Sequence, residues 1–113
     1  MVRLDEQTWM KCGIEFVDGI QHVSAVVTRE FSDGSVVRLA HTPPTIWLHV
    51  VREGPAVTVA YARDGGTYTL LRLAYLTPAE TVQVGPMCAA PDGAGFPGMF
   101  EEFSRIHPAA TAG

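Results

Sequence analysis

The stretch IWLHVVREGPAVTVAYARDGGTYTLLR, residues 46–72, decides the fold of this chain. Apolar and polar residues alternate along three runs, and this period of two is that of a β-strand rather than of a helix. Two breaks separate the runs, EGP at residues 53–55 and DGG at residues 64–66. Asp-Gly supplies the positive φ angles that a tight hairpin turn requires. The stretch therefore predicts three antiparallel strands joined by two turns.

The alternation divides the first of these strands into two faces. One face holds Ile46, Leu48 and Val50, and the other holds Trp47, His49 and Val51. The second strand alternates in the same way and offers apolar residues at positions 57, 59 and 61 across the hairpin. We therefore expect the first set to lie in the core and Trp47 and His49 to project from the open face of the sheet.

Period-two alternation also runs through most of the remaining chain. It predicts strands at residues 10–18, 22–29, 36–39 and 82–88, and a last strand or short helical turn at 100–106. Between them we expect a turn at DG (18–19), a loop at 31–35, a connection with room for one helical turn at 74–80, and a surface loop at 90–98. Many short strands separated by turn signals are typical of an antiparallel β-sandwich or barrel. We expect one all-β domain over residues 1–107 and a disordered tail at 108–113.

Composition narrows the classes of function. A length of 113 residues with 47% apolar content is enough for one core. The net charge of −4 and the scattered Lys and Arg residues provide no basic patch for nucleic acid or an anionic membrane. Neither a membrane span nor a signal peptide is evident, so we expect a cytoplasmic protein. In that compartment Cys12 and Cys88 are expected to be buried thiols rather than a disulfide.

Three blocks of the sequence resemble one protein family. They are GIEFVDGIQHVSAVVTREFSD (13–33), IWLHVVREGPAVTVAYARDGG (46–66) and VQVGPMCAAPDGAGF (82–96). The first and third blocks are the more specific. The chain is similar in these blocks to a bacterial and fungal domain family of unknown function, described as resembling "regulation of enolase" proteins, within the concanavalin A-like lectin/glucanase superfamily. The resemblance implies a two-sheet jelly roll and extends from about residue 2 to residue 106.

The chain departs from that family in two respects. Family members usually have a further N-terminal segment that contributes strands to both sheets, so this chain resembles the C-terminal part of the domain. Position 34 is glycine, where similar sequences often carry tryptophan. The absence of that indole removes a large stacking surface from the loop predicted around Gly34.

The absence of those N-terminal strands predicts an oligomer. A jelly roll without them has open sheet edges and an uncovered apolar face, and unpaired backbone groups at an edge tend to recruit another chain. We therefore predict a homodimer or higher oligomer, joined by strand pairing or by packing of exposed sheet faces, with Trp9 as a candidate interface residue. The other interpretation is that the remaining strands close on themselves as a smaller sandwich.

The open face supplies the candidate ligand site. In the superfamily that the chain resembles, the solvent-facing sheet surface binds sugars, and we expect Lys11 and Glu15 to share this face with Trp47 and His49. Aromatic rings stack on sugar rings, while Glu, His and Lys hydrogen-bond hydroxyl groups. The four residues thus form a candidate carbohydrate platform. Trp47 could equally cover the sheet or lie in an interface, and His49 could be a hydrogen-bonded surface histidine.

Enzymatic chemistry is not indicated by the sequence. A glycoside hydrolase needs two facing carboxylates, and the superfamily's E-x-D-x-x-E signature is absent. Glu15 and Asp18 are three residues apart and would point to opposite faces. The histidines and cysteines lack zinc-like spacing, and the Asp-Gly turns lack further calcium ligands. We expect no catalytic residue, metal or cofactor.

The leading hypothesis from the sequence is a non-catalytic concanavalin A-like domain that binds carbohydrate. The alternative is a protein-interaction or regulatory module linked to metabolism, in which the open sheet, Trp9 and Trp47 form the contact surface. An enzyme acting on glycosides is the third hypothesis.

Overall fold

The computed structural model describes residues 1–40, 43, 45–64 and 66–87. Within these residues the chain forms eight β-strands: β1 (Val2–Arg3), β2 (Thr8–Val17), β3 (Ile20–Arg29), β4 (Phe31–Arg38), β5 (Trp47–Glu53), β6 (Ala56–Ala62), β7 (Thr69–Tyr75) and β8 (Gln83–Val84). They form a five-stranded sheet, ordered β4-β3-β2-β1-β8, and a three-stranded sheet, ordered β5-β6-β7. All pairings are antiparallel.

The stretch quoted first forms the three-stranded sheet, as predicted. Its first turn lies between Glu53 and Ala56, with Gly54 at a φ of 59°. At its second turn the carboxylate of Asp64 accepts hydrogen bonds from the backbone N–H groups of Gly66 and Thr67. These bonds lower the pKa of Asp64. An aspartate side chain that caps the following backbone groups is a common way to fix a tight turn.

The two sheets pack face to face as an antiparallel sandwich, which confirms the predicted fold class. The buried residues between them are Val2, Met10, Ala25, Val27, Val57, Val59, Ala74 and Leu76. On β3 and β6 they occupy alternate positions, as the period of two predicts. The opposite side of each of these strands therefore faces away from the core.

One polar bridge also joins the sheets. The guanidinium group of Arg72 on β7 donates hydrogen bonds to the Ser35 hydroxyl at 2.9 Å and to the Asp33 carboxylate at 3.0 Å, both on β4. The Arg72 hydrogen bond and charge lower the pKa of Asp33. These bonds join β7, an edge strand of the three-stranded sheet, to β4, an edge strand of the five-stranded sheet.

The loop predicted at residues 31–35 is wrong, because β4 already begins at Phe31. The chain reverses at the single residue Glu30, which has a φ of 68°. The N–H group of Glu30 donates a hydrogen bond to the Gln7 carbonyl at 2.8 Å. Asp-Gly at positions 33–34 resembles a turn signal in sequence, yet here it lies inside the strand and is opposed by Val27 and Val26.

Two further differences concern the ends of the sheets. Strand β8 covers only Gln83–Val84 instead of the predicted residues 82–88, and β1 was not predicted. The strand predicted at residues 82–88 is therefore present but shorter, whereas β1 has only two residues and carries too little alternation to be recognised. Residues 76–82 join β7 to β8 without a helix.

The predicted core position of Leu48 and Val50 is only partly correct. They lie opposite Tyr61 and Val59 in the register, on the inner face as expected. Their exposed fractions are nevertheless 38% and 37%, whereas Val59 is fully buried. β5 is the edge strand of its sheet, so its inner face has neighbours on one side only.

Several predictions concern residues that the structure does not describe. These are the loop at 90–98, the last element at 100–106, the tail at 108–113 and the state of Cys88. Cys12 is half-buried, and this burial raises the pKa of its thiol. Among the described residues there is no helix with the length and apolarity that a membrane crossing requires.

Candidate functional site

The outer face of the three-stranded sheet forms a shallow trough. The middle strand β6 turns only small side chains to this face, at positions 56, 58, 60 and 62. Larger side chains flank it on both sides, as in the rows His49–Ala60–Leu70 and Val51–Thr58–Leu73. We call this face the aromatic trough, and its walls are Trp47, His49 and Val51 on one side and Tyr68, Leu70, Leu73 and Tyr75 on the other.

The walls of the aromatic trough are unusually open to solvent. Leu70 and Leu73 have exposed fractions of 61% and 62%, and Tyr75, Tyr68 and Trp47 follow with 46%, 42% and 39%. Isolated exposed apolar residues are ordinary on protein surfaces. A contiguous group on one sheet face is not, because such patches mark contact sites for proteins or other ligands.

Hydrogen-bonding groups in the trough lie mainly at its two ends. The rings of His49 and Tyr68 are 5.6 Å apart between centroids, with an interplanar angle of 56°. Trp47, two residues before His49 on β5, lies on the same face. At the other end Glu53 supplies a carboxylate, opposite Ala56. The trough thus combines an aromatic end that can donate hydrogen bonds with an aliphatic centre.

The structure does not bring the four predicted ligand residues together. Trp47 and His49 lie in the aromatic trough, whereas Lys11 and Glu15 lie on β2, on the outer face of the other sheet. Both faces point away from the shared core, so the two pairs are on opposite sides of the sandwich. Alternation assigns each residue to the correct face of its strand but does not reveal which sheet the strand joins.

The outer face of the five-stranded sheet has its own polar row. Glu15, His22 and Arg38 face one another across β2, β3 and β4. His22 Nδ1 is 2.9 Å from the carbonyl oxygen of Ile20. The row contains one carboxylate, so it does not provide the facing pair that glycoside hydrolysis needs.

Trp9, the predicted interface residue, lies on this same outer face. It is half-buried, opposite Arg3 on one side and Thr28 on the other. The ammonium nitrogen of Lys11 is 5.9 Å from the centre of its ring, within the range of a cation–π contact. An interface role for Trp9 remains a prediction.

A cleft of about 390 Å³ opens beside the aromatic trough, between β3, β4 and β7. It is lined by the Arg72–Asp33 ion pair and by the side chains of Phe31 and Tyr75. The guanidinium carbon of Arg29 is 4.4 Å from the centre of the Tyr75 ring. Tyr75 belongs to both surfaces, so the cleft and the trough are continuous.

Metal-binding geometry is not found in the part of the chain that the structure describes. No group of three or more His, Cys, Asp and Glu side chains in residues 1–40, 43, 45–64 and 66–87 is arranged to hold a metal ion.

Sequence reasoning missed the β7 wall of the trough. Tyr68 and Leu70 alternate correctly, but a β-bulge opposite Val59 and Ala60 interrupts the period before Leu73 and Tyr75. A bulge inserts one residue and moves every later side chain to the other face. The exposed set therefore does not stand out in TYTLLRLAY, although its density of large apolar residues could have drawn attention to it.

Comparisons with known proteins agree with this fold. The chain is 34% identical over 112 residues to "Regulation of enolase protein 1" of Saccharomyces cerevisiae, covering 99% of this chain and 57% of the yeast protein. A solved structure described as "The crystal structure of a functionally unknown protein from Saccharomyces cerevisiae" matches with a TM-score of 0.65 and 33% identity, over 70% of this chain and 43% of that chain.

The chain therefore spans little more than half the length of the yeast relative that it matches. The family model described as "Protein of unknown function (DUF1349)" matches residues 1–108, which is nearly the whole chain. The resemblance that the sequence blocks carry is thus confirmed, and the chain belongs to this DUF1349 family.

Proposed function

We propose that the chain is a non-catalytic protein-interaction module whose aromatic trough docks on enolase. The observation that carries this proposal is the exposure of Leu70 and Leu73, at 61% and 62%, in the middle of a continuous face. Aliphatic side chains do not stack on sugar rings, whereas they are suited to the desolvated core of a protein interface. Large aromatic residues around them, such as Trp47 and Tyr75, are typical anchors in such interfaces.

Enolase is the proposed partner because of the name of the yeast relative. Its name, "Regulation of enolase protein 1", belongs to a yeast protein that is 34% identical to this chain. Direct contact is one mechanism by which a protein regulates an enzyme, and it is the mechanism proposed here. Because this chain spans 57% of the yeast protein, the proposal concerns only the part that the two share.

Binding to purified enolase from the organism that encodes this chain tests the proposal. We expect the full chain to bind in biolayer interferometry and Leu73→Asp to lower the affinity at least about tenfold, because the substitution places a charge in the desolvated centre. Val17→Asp is the matched control. Val17 is also exposed, at 40%, but lies on the outer face of the other sheet.

Two outcomes would overturn this proposal. One is the absence of binding by the unmodified chain at about 100 μM enolase, a concentration that would reveal even weak association. The other is an equal loss of affinity in Leu73→Asp and Val17→Asp, which would mean that the trough has no special role.

Carbohydrate binding at the aromatic end of the trough is the second candidate function. It is favoured by Trp47, His49 and Tyr68, because this group combines stacking surfaces with an imidazole and a phenol that hydrogen-bond hydroxyl groups. A glycan array separates the two candidates. A defined sugar hit that Trp47→Ala abolishes and Leu73→Asp retains would favour this second function over enolase docking.

A further inference from the structure

We propose that two copies of this chain pair through the free edge of β4, so that the two five-stranded sheets join into one continuous sheet. β4 spans Phe31–Arg38, and in the described part of the chain only β3 pairs with it. Eight residues make it the longest of the edge strands β4, β5, β7 and β8. This inference concerns the other sheet from the aromatic trough and is independent of the proposed function.

The direction of the backbone groups on β4 follows from one hydrogen bond. The N–H group of Leu39, just beyond the strand, donates to the Gln21 carbonyl at 3.0 Å. Hydrogen-bonded pairs alternate with non-bonded pairs in an antiparallel ladder, so the odd-numbered residues of β4 bond to β3. The even-numbered residues Ser32, Gly34, Val36 and Arg38 therefore turn their N–H and C=O groups to the free edge.

A symmetric antiparallel pairing centred on Gly34 matches side chains of like character. In this register Gly34 lies opposite the partner's Gly34, and Phe31 lies opposite the partner's Val37. Both Phe31 and Val37 face the inner side of the sheet and are exposed, at 84% and 37%. Cross-strand contact between an aromatic and a β-branched residue stabilises a sheet.

Polar groups agree with the same register. Asp33 lies opposite the partner's Ser35. Beyond the strand end, the exposed carboxylate of Glu30 comes next to the guanidinium group of the partner's Arg38. A shift by two residues in one direction would place Asp33 opposite the partner's Asp33, and like charges directly opposite destabilise a sheet. A shift in the other direction would place Asp33 opposite the apolar Val37 of the partner subunit.

Two of the other edges, those of β7 and β8, are less suitable for strand pairing. The free edge of β7 lies on a strand with a bulge opposite Val59 and Ala60, which disrupts a regular ladder. β8 has two residues and is followed within two positions by Pro86, which lacks the N–H group that a ladder needs. β4 contains neither a bulge nor a proline.

Gly34→Pro removes both central hydrogen bonds of this dimer, because each copy loses the N–H group that donates to the partner's Gly34, with little effect on the single chain. Its N–H group points to the free edge, so proline takes no bond from β3. A Cβ atom at position 34 has as its nearest neighbour only the Val26 side chain, at 3.9 Å. Gly34→Ala is the matched control because it adds the Cβ atom and keeps the N–H group.

Sedimentation velocity of the full chain provides the test. We expect the unmodified chain and Gly34→Ala to sediment at about 100 μM with twice the monomer mass of 12.2 kDa, and Gly34→Pro to sediment as a monomer. A monomeric unmodified chain, or a dimeric Gly34→Pro variant, would overturn the proposal.

Thiol cross-linking checks the register even where the proline variant fails to fold. In the proposed dimer the two Cα atoms at position 34 are about 5.5 Å apart, whereas those at position 32 are roughly 13 Å apart along the strands. We expect a short bis-maleimide to cross-link two Gly34→Cys chains and to leave Ser32→Cys chains as monomers. The unmodified chain is the control for cross-linking through the native thiols of Cys12 and Cys88. Equal cross-linking at both positions, or none at position 34, contradicts this pairing.

Discussion

At the scale of single residues, Val59 and Val50 show what alternation can and cannot predict. The two valines face each other across the β5–β6 hairpin on the inner side of the sheet. Val59 is fully buried, while Val50 keeps 37% of its surface exposed. Sequence alternation assigned both to the inner face. It could not distinguish their burial, because that depends on whether a strand lies in the middle or at the edge of a sheet.

This pair gives a matched prediction for stability. We expect Val59→Ala to lower the free energy of unfolding by about 2–3 kcal/mol, because it removes buried methyl groups and leaves a cavity. Val50→Ala should lower the free energy of unfolding by at least about 1 kcal/mol less than Val59→Ala does, since solvent fills the space that the removed methyl groups leave. Urea unfolding followed by circular dichroism measures both values. Equal losses would mean that the inner face of β5 is covered as completely as that of β6.

At the scale of elements, the β2–β3 hairpin could be predicted from the sequence, whereas the β3–β4 hairpin could not. Asp18-Gly19 connects β2 to β3 with φ angles of 51° and 75°, as the Asp-Gly signal predicts. The reversal at Glu30 depends instead on the Gln7 carbonyl that accepts its N–H group. A contact with a residue 23 positions away in the chain leaves no local pattern, so the start of β4 could not be predicted.

The β2–β3 turn supplies a test of its backbone geometry. Gly19→Ala should destabilise the protein by about 1–2 kcal/mol, because a side chain is strained in the left-handed region. Gly13→Ala is the control, since Gly13 lies inside β2 without a positive φ, and a Cβ atom there meets nothing within 4 Å. The alanine should be neutral or slightly stabilising at position 13. Thermal melts that rank the two variants in the reverse order would contradict the described turn.

At the scale of the whole molecule, the sequence predicted an antiparallel sandwich but not the layout of its surface. The expected platform of Trp47, His49, Lys11 and Glu15 separates onto two opposite faces, because the two strands that carry it join different sheets. The aromatic trough takes its place, with Leu70 and Leu73 supplied by a strand whose period is broken by a bulge. Which side chains share such a surface depends on strand pairing between residues far apart in the sequence. A local sequence pattern does not specify this pairing.

The most direct measurement is a methyl NMR titration of the leucine- and valine-labelled chain with enolase. The methyl groups of Val51, Leu70 and Leu73 report on the aromatic trough, and those of Val17, Val26 and Val36 report on the outer face of the other sheet. We expect the first set to shift or broaden while the second stays unchanged. Changes confined to the second set, or no change at about 100 μM enolase, would contradict the proposal that the trough is the docking surface.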